Sequence, residues 1–202
     1  MDSLRVLMTG AGAPGFPSIL HCLKNNGERD LFFVGVDMNP MATGRSLVDK
    51  FYRVPSASDS SFIDSILNIC ESENIDVVIS IVTRELELFA ESKNRFEAIN
   101  TKLCVMDKGP LHIANNKGLL LTSMRDAGLP TPSFFVVHTP SELFQAIYDL
   151  DYPNKPVVVK PTFGNGSRGT RIIDANISRY DMFFRTSASF LSSVLNGSIS
   201  SF

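Results

Sequence analysis

The sequence predicts an α/β protein with an open parallel sheet wrapped by helices, followed by a partial α+β lobe. Up to about residue 112, short Val/Ile-rich runs alternate with segments of helical apolar spacing. This alternation is typical of parallel sheets covered by helices. Beyond it the pattern changes, and a glycine-rich loop lies between two short β-branched runs. We therefore predict two domains, residues 1–112 and residues 113–202.

The first domain is predicted to contain strands and helices in alternation. The strands are the apolar runs at residues 4–9, 31–36, 76–82 and 102–106. The helices are the segments at residues 17–26, 59–73 and 85–97. The first helix is expected to bury Ile19, Leu20 and Leu23. The second has apolar residues at helical spacing, namely Phe62, Ile63, Ile66, Leu67 and Cys70.

The second domain is predicted to begin with a helix at residues 116–127, with Asn116 as its N-cap. A strand at residues 134–137 follows, and Thr139-Pro140-Ser141-Glu142 is a capping box that opens a helix to about residue 150. Strands are predicted at residues 157–159 and 170–173. A further helix is predicted at residues 179–195, where the sequence becomes rich in serine.

Charge and residue spacing argue against several classes of function. The chain has 19 basic and 21 acidic residues, a formal net charge of −2, and no basic run that suggests a nucleic-acid partner. The histidines lack metal-ligand spacing, so no metal site is predicted. Cysteines stand only at Cys22, Cys70 and Cys104, and we expect buried, reduced thiols.

The compartment can also be predicted. The first residues lead directly into a strand rather than into the apolar region of a secretory signal. No apolar run approaches the roughly 18 residues of a membrane span. We therefore expect a cytoplasmic protein without a membrane partner.

Residues 160–169 are the most informative part of the chain. They read Lys-Pro-Thr-Phe-Gly-Asn-Gly-Ser-Arg-Gly and lie between two predicted strands. Glycines let the backbone approach an anion and point N–H groups at it, and the lysine adds a positive charge. Polyphosphate is the ligand that this pattern favours. The alternative is an ordinary hairpin turn, for which Gly-Asn-Gly-Ser is also typical.

A second glycine motif follows the first predicted strand. Residues 10–15 fit G-x-G-x-x-G, and Asp37 ends the second strand, as in the dinucleotide-binding fingerprint. The motif predicts a Rossmann-like fold. It also raises an alternative function, an NAD(P)-binding oxidoreductase, although no Tyr-x-x-x-Lys pair is present to support it.

The order of motifs in the second domain resembles the ATP-grasp superfamily, particularly the large chain of carbamoyl-phosphate synthase. The motifs are Asn116-Lys117 at a helix start, the connector at residues 128–132, and the strand at residues 157–159 with Lys160 and its glycine loop. The resemblance implies that residues 1–112 are a pre-ATP-grasp domain. Residues 113–202 would then be part of an ATP-grasp domain with its glycine-rich loop.

The resemblance also implies a cofactor and its ligands. Lys117 and Lys160 would contact the phosphates of ATP, and a mobile glycine loop would close over them. That loop corresponds to Gly164, Asn165, Gly166, Ser167, Arg168 and Gly169. Related enzymes use ATP and Mg²⁺ to activate a carboxylate or bicarbonate as an acyl phosphate, which an amine or ammonia then attacks. Relatives often have Asp where this chain has Asn116.

The small-molecule carboxylate substrate is predicted less specifically. Candidates to border it lie where strands of the first domain end, because open α/β sheets bind ligands at that edge. These residues are Gly10, Gly12, Gly15, Asp37 and Glu85. For Glu85 the alternative is a solvated helix start.

The resemblance implies one further expectation. In the family, the Mg²⁺-binding acidic residues and the adenine-binding strand follow the glycine loop, on a segment that this chain lacks. We therefore expect a fragment that does not catalyse ligation alone and that contains no catalytic residues of its own. A second chain, or a homo-oligomer, would complete the domain. A silent nucleotide-binding module is the remaining alternative.

Overall fold

The computed structural model describes residues 3–164 and 166–177. The chain divides into two compact units, the first comprising Met1–Leu111 and the second beginning at His112. Each unit has its own sheet and its own core. Within the described residues, no helix has both the length and the apolar character needed to cross a membrane.

The described part of the first unit contains a five-stranded parallel sheet in the order β3-β2-β1-β4-β5. Its strands are β1 Leu4–Thr9, β2 Leu31–Asp37, β3 Lys50–Arg53, β4 Val77–Ile79 and β5 Lys102–Leu103. In the register, Val6 of β1 lies opposite Phe33 of β2 and Val77 of β4. The strand order reverses between β1 and β4, and the carboxyl ends of the strands share one edge. The predicted open α/β fold is confirmed.

Helices cover both faces of this sheet. They are α1 Phe16–Lys24, α2 Phe62–Glu73, α3 Leu86–Glu91 and α4 Lys93–Glu97; a further helix, α5 Lys108–Asn115, spans the boundary between the two units. One core joins Leu7 to the aromatic residues of α2, α3 and α4, namely Phe62, Phe89 and Phe96. The other core joins Val6 and Met8 to Phe16 and Leu20 of α1. Successive residues of β1 thus point to opposite faces, as the strand period requires.

Some predictions for this unit were wrong. Strand β3 was missed, because its sequence Lys-Phe-Tyr-Arg is short and half polar, as suits an edge strand. The helix predicted at residues 85–97 is two short helices that meet at Ser92. Ile19 is 37% exposed, and Phe16 occupies the core instead. Cys22 and Cys104 are exposed, while Cys70 is buried as predicted.

A charge cluster joins the starts of β1 and β3 to the end of α2. The Glu73 carboxylate accepts hydrogen bonds from Arg5 Nη2 at 2.9 Å, from Lys50 Nζ at 2.8 Å and from the Tyr52 hydroxyl. The Lys50 and Tyr52 hydrogen bonds hold the pKa of Glu73 below its usual range despite its burial. All four side chains have partners, which is typical of a structural network.

The described part of the second unit contains two complete helices and a hairpin. They are α6 Lys117–Asp126, α7 Pro140–Asp149, β6 Val157–Val159 and β7 Arg171–Ile173, with β6 and β7 antiparallel. Ile147 of α7 packs against Val157 and Ile173. The predicted caps are confirmed, since Thr139 Oγ1 accepts from Glu142 N and Asn116 accepts from the first turn of α6.

For this unit, one predicted strand is not found and one predicted helix cannot be compared with the structure. Residues 134–137 form no strand, since none of the other described segments pairs with them as a strand. The helix predicted at residues 179–195 lies outside the described residues.

Candidate functional site

The first turn of α6 has its backbone donors satisfied within the protein. Asn116 Oδ1 accepts from Gly118 N at 3.0 Å and from Leu119 N at 3.1 Å. Lys117 N donates to Thr162 O at 2.9 Å, and Leu120 N donates to Asn116 O at 2.8 Å. The first four N–H groups of a helix normally need such partners. Any anion bound near this turn must therefore be held by side chains rather than by these amides.

The side chain of Lys117, like its backbone N–H, connects α6 to the glycine-rich segment. Its Nζ donates to Gly164 O at 2.7 Å. The helix start can lie this close because Gly118 is small. A Cβ there would stand 3.0 Å from Val136 Cγ2 and 3.6 Å from Thr162 Cγ2. The backbone and the ammonium of one lysine thus both contact residues 162–164.

The glycine loop uses backbone conformations that favour glycine. The φ angles are 140° at Gly164, 60° at Gly166 and 76° at Gly169. Ser167 also has a positive φ, of 58°. A Cβ on Gly169 would lie 2.7 Å from Pro161 Cγ. The predicted loop glycines therefore meet real conformational and steric requirements.

The remaining predicted phosphate ligands lie along the same segment. Lys160 directly follows β6 and is exposed, and Arg168 is exposed in the loop. Only Pro161 separates Lys160 from Thr162, so the Cα atoms of Lys160 and Thr162 are at most about 7 Å apart. Asn165 lies outside the described residues. Lys117 and Lys160 are thus both next to residues 162–164.

The first glycine motif has a different set of contacts. Gly10 has a φ of 70°, and a Cβ there would lie 2.5 Å from Val82 Cγ2. Gly12 N donates to Asp37 Oδ2 at 2.7 Å, and Asn39 N donates to Asp37 Oδ1 at 2.8 Å. The motif's amide and its acidic residue therefore pair with each other. Both Gly10 and Gly12 are explained by packing within the unit.

One more residue of this motif, Ala11, is buried by the protein's own chain. Gly44 N donates to Ala11 O at 2.9 Å, and Ala42 is buried beside Gly12. Gly15 is the N-cap of α1, with an ordinary φ of −80°. The segment after β2 thus packs onto the turn between β1 and α1.

Glu85 lies buried where β1 and β4 end. It is 8% exposed, and its Oε2 accepts from Ser80 Oγ at 2.9 Å. Thr9 Oγ1 donates to the same Ser80 Oγ at 3.1 Å. Burial raises the pKa of Glu85, and hydrogen bonds from Thr9 and Ser80 partly oppose this rise. Glu85 is therefore part of a packed polar cluster and not a solvated helix start.

Sequence reasoning missed the partners of Glu85. Thr9 and Ser80 are single polar residues at the ends of apolar runs, and that position was the available signal. This cluster stands at the edge where the strand order reverses, which is where open α/β sheets bind ligands. Among the described residues, no group of three or more His, Cys, Asp or Glu side chains could hold a metal ion.

The fold of the described residues matches part of the solved ATP-grasp structures, in agreement with the resemblance predicted from the motifs. Residues 6–104 match the family model described as the PylC-like, N-terminal domain.

Solved structures of ATP-grasp enzymes have the same fold at low sequence identity. N5-carboxyaminoimidazole synthetase from Staphylococcus aureus, complexed with ADP, has a TM-score of 0.59 and 15% identity, with 85% of this chain and 42% of that chain covered. A biotin carboxylase from Campylobacter jejuni, in a β-γ-ATP complex, has a TM-score of 0.60 and 18% identity, with 85% and 38% covered. An L-amino acid ligase from Bacillus licheniformis has a TM-score of 0.54 and 20% identity, with 81% and 38% covered. The chain thus spans about two fifths of the length of these structures.

Proposed function

We propose that this chain is part of an ATP-dependent ligase of the ATP-grasp type and that its second unit binds the phosphates of ATP. The supporting observation is the double contact of Lys117 with residues 162–164, directly beside Lys160. In this proposal, residues 1–112 are the pre-ATP-grasp domain. Residues 113–202 belong to the ATP-grasp domain and supply its glycine-rich loop.

The chemistry of phosphoryl transfer suits these residues. Catalysis of that reaction depends mainly on positioning and on neutralising phosphate charge. Lys117 and Lys160 would each donate to phosphate oxygens. The loop at residues 164–169, exposed at its described residues 164 and 166–169, would add backbone N–H groups, whose approach to an anion the glycines permit. In the complete ligase, a substrate carboxylate oxygen would attack the γ-phosphorus and release ADP. An amine or ammonia would then attack the acyl carbon and release phosphate.

The carboxylate substrate would approach the carboxyl edge of the first unit's sheet. Gly10, Gly12 and Gly15 would shape that edge by letting the backbone turn tightly, while Asp37 would hold the turn through Gly12 N. Glu85 would anchor the start of α3 there through Ser80 and Thr9. We propose these residues as the border of the substrate site.

Mg²⁺ accompanies ATP in this class of chemistry, but the described residues do not fit a Mg²⁺ site of their own. They contain no group of three or more His, Cys, Asp or Glu side chains that could hold a metal ion, and carboxylate oxygens are the protein ligands that Mg²⁺ prefers. We therefore propose that residues 1–202 bind nucleotide but do not complete ligation by themselves. Acidic ligands from a second chain, or from a longer form of this protein, would supply the metal site.

A titration separates this function from an oxidoreductase. Isothermal calorimetry of the full 202-residue chain with MgATP and with NADH should give tighter binding of ATP. Lys160→Ala should weaken ATP binding by about tenfold or more, because it removes a hydrogen bond to a charged group. Lys155→Ala is the matched control, since Lys155 is exposed and pairs with Asp151. Tighter binding of NADH, or equal effects of the two variants, would refute the proposal.

A further inference from the structure

Arg84 is a cation at the carboxyl edge of the sheet in the first unit. It lies in the connection between β4 and α3, next to the point where the strand order reverses. Arg84 is exposed, and it has no hydrogen bond or ion pair with any of the described residues. Open α/β sheets bind ligands at this edge. Arg84 therefore offers an unpaired guanidinium where a ligand would lie.

The backbone on both sides of Arg84 is held in place. On one side, Val82 packs so closely that a Cβ on Gly10 would lie 2.5 Å from Val82 Cγ2. On the other side, the buried Glu85 accepts from Ser80 Oγ at 2.9 Å and donates its amide hydrogen to Val82 O at 3.0 Å. A binding group on a backbone that is already ordered loses less entropy when a ligand arrives.

Other charged groups near this edge are used within the protein. The Asp37 carboxylate accepts from two backbone amides. Arg53, at the end of β3, and Arg45, in the segment after β2, each donate to a backbone carbonyl. Among the arginines that the structure describes near this edge, Arg84 alone has no such partner. Its positive charge is therefore the one available to an anion from solution.

The guanidinium of Arg84 suits a carboxylate in particular. It stays charged at any physiological pH, and its planar fork of N–H donors matches the two oxygens of a carboxylate. We infer that Arg84 is a substrate-binding residue, which holds a carboxylate group of the substrate at this edge by a pair of N–H···O bonds. The inference rests on the proposed function for the substrate class, and it adds the residue that recognises it.

Chemical modification tests this contact. Phenylglyoxal reacts with guanidinium groups, and peptide mass spectrometry of the full chain gives the rate at each arginine. Arg84 should react faster than Arg5, whose guanidinium pairs with Glu73 at 2.9 Å. Succinate, at constant ionic strength, should slow the reaction of Arg84 about fivefold or more and in a saturable way, because charge-assisted hydrogen bonds shield the guanidinium. Arg29, exposed near the start of β2 at the opposite edge, is the control and should react at an unchanged rate.

Two outcomes of this experiment would overturn the inference. The first is a rate at Arg84 that succinate does not change. The second comes from inorganic phosphate in place of succinate, since stronger protection by phosphate would show a general anion site rather than a carboxylate site.

Variants test the same contact by binding. Calorimetry with succinate should give an affinity about tenfold or more lower for Arg84→Gln than for wild type, because hydrogen bonds to a charged group are lost. Arg84→Lys should recover only part of the affinity, since an ammonium lacks the planar fork. Arg29→Gln should bind succinate as wild type does, and far-UV circular dichroism checks the fold of each variant. Equal succinate affinities of Arg84→Gln and wild type would contradict the assignment.

Calorimetry with MgATP separates this inference from the proposed ATP site. Arg84→Gln should leave the MgATP affinity unchanged, and a loss of MgATP affinity without a loss of succinate affinity would assign Arg84 to phosphate instead. If succinate binds and protects Arg84 while MgATP does not bind, the ATP proposal fails and the carboxylate site stands. If MgATP binds while succinate neither binds nor protects Arg84, the Arg84 inference fails alone.

Discussion

Gly12 donates its amide hydrogen to the carboxylate of Asp37 over 2.7 Å. In a dinucleotide-binding domain the second glycine of this motif lets the backbone approach a pyrophosphate, and the acidic residue binds a ribose hydroxyl. Here the two elements of the fingerprint bind each other. A Cβ at Gly12 would lie 3.2 Å from Asp37 Oδ2, so this contact also explains the glycine. Gly12 and Asp37 thus have a structural role in this motif that does not require bound NAD(P).

The first prediction concerns this pair. Asp37→Ala should remove the side-chain acceptor of the exposed Gly12 and Asn39 amides and lower the free energy of unfolding by about 1 kcal/mol, because water can replace part of the lost bonding. Urea denaturation measures the change. Asp30→Ala is the control at an exposed acidic residue before β2. If Asp37 served only a bound dinucleotide, its replacement would leave the stability of the ligand-free chain unchanged.

Gly169 should be required in the loop, whereas Gly27 should not. Gly169→Ala would put an alanine at a φ of 76° and its Cβ 2.7 Å from Pro161 Cγ. Gly27→Ala would put an alanine at a similar φ of 73°, but no atom of the described residues beyond its chain neighbours would lie within 4 Å of its Cβ. Both variants carry backbone strain of about 1 kcal/mol or more, but only Gly169→Ala must also move its neighbours. We expect Gly169→Ala to weaken MgATP binding in calorimetry and Gly27→Ala to leave it unchanged. Equal affinities would separate the loop from nucleotide binding.

Glu85 should make stability depend on pH. Burial raises its pKa in the folded state, so the folded chain holds this proton more tightly than the unfolded chain. By linkage, wild type loses stability as pH rises from about 4.5 through the folded-state pKa, and the loss is complete above it. Glu85→Gln cannot ionise and escapes this loss.

The difference in unfolding free energy between Glu85→Gln and wild type should therefore shift in favour of the variant as the pH rises above about 4.5, the ordinary pKa of a glutamate. Urea denaturation at a series of pH values measures it. Glu87→Gln, on the same helix and half-buried, is the comparison. A difference for Glu85→Gln that is constant with pH would show that the Glu85 carboxyl titrates as in the unfolded chain.

The cysteines should differ in reactivity. Cys22 and Cys104 are exposed, whereas burial raises the pKa of Cys70 to about 12. Because the thiolate is the reactive form, Cys70 should resist a maleimide in the folded chain. Mass spectrometry should show labelling at Cys22 and Cys104 first, and at all three sites after unfolding in urea. Rapid labelling of Cys70 without denaturant would contradict its burial.

The features that could be predicted from the sequence are those determined by residues close together in the chain. The apolar run of β1 and the helical spacing of α2 each determine their element locally, and Asn116 and Thr139 cap helices through amides two or three residues away. Strand β3 escaped prediction because its four residues carry no pattern of their own. It is stabilised by pairing with β2, where Val34 lies opposite Lys50.

The sequence by itself determined the alternation of strands and helices, the caps, and the glycine loop with its two lysines. Only the tertiary structure decided what these residues contact. It paired Gly12 with Asp37, buried Glu85 beside Ser80 and Thr9, and brought Lys117 to Gly164, 47 positions further along the chain. Periodicity and capping act over a few residues, whereas hydrogen bonds across a fold depend on where distant segments meet. For that reason the motif could suggest a ligand class, whereas the contact between Lys117 and Gly164 could not be predicted from it.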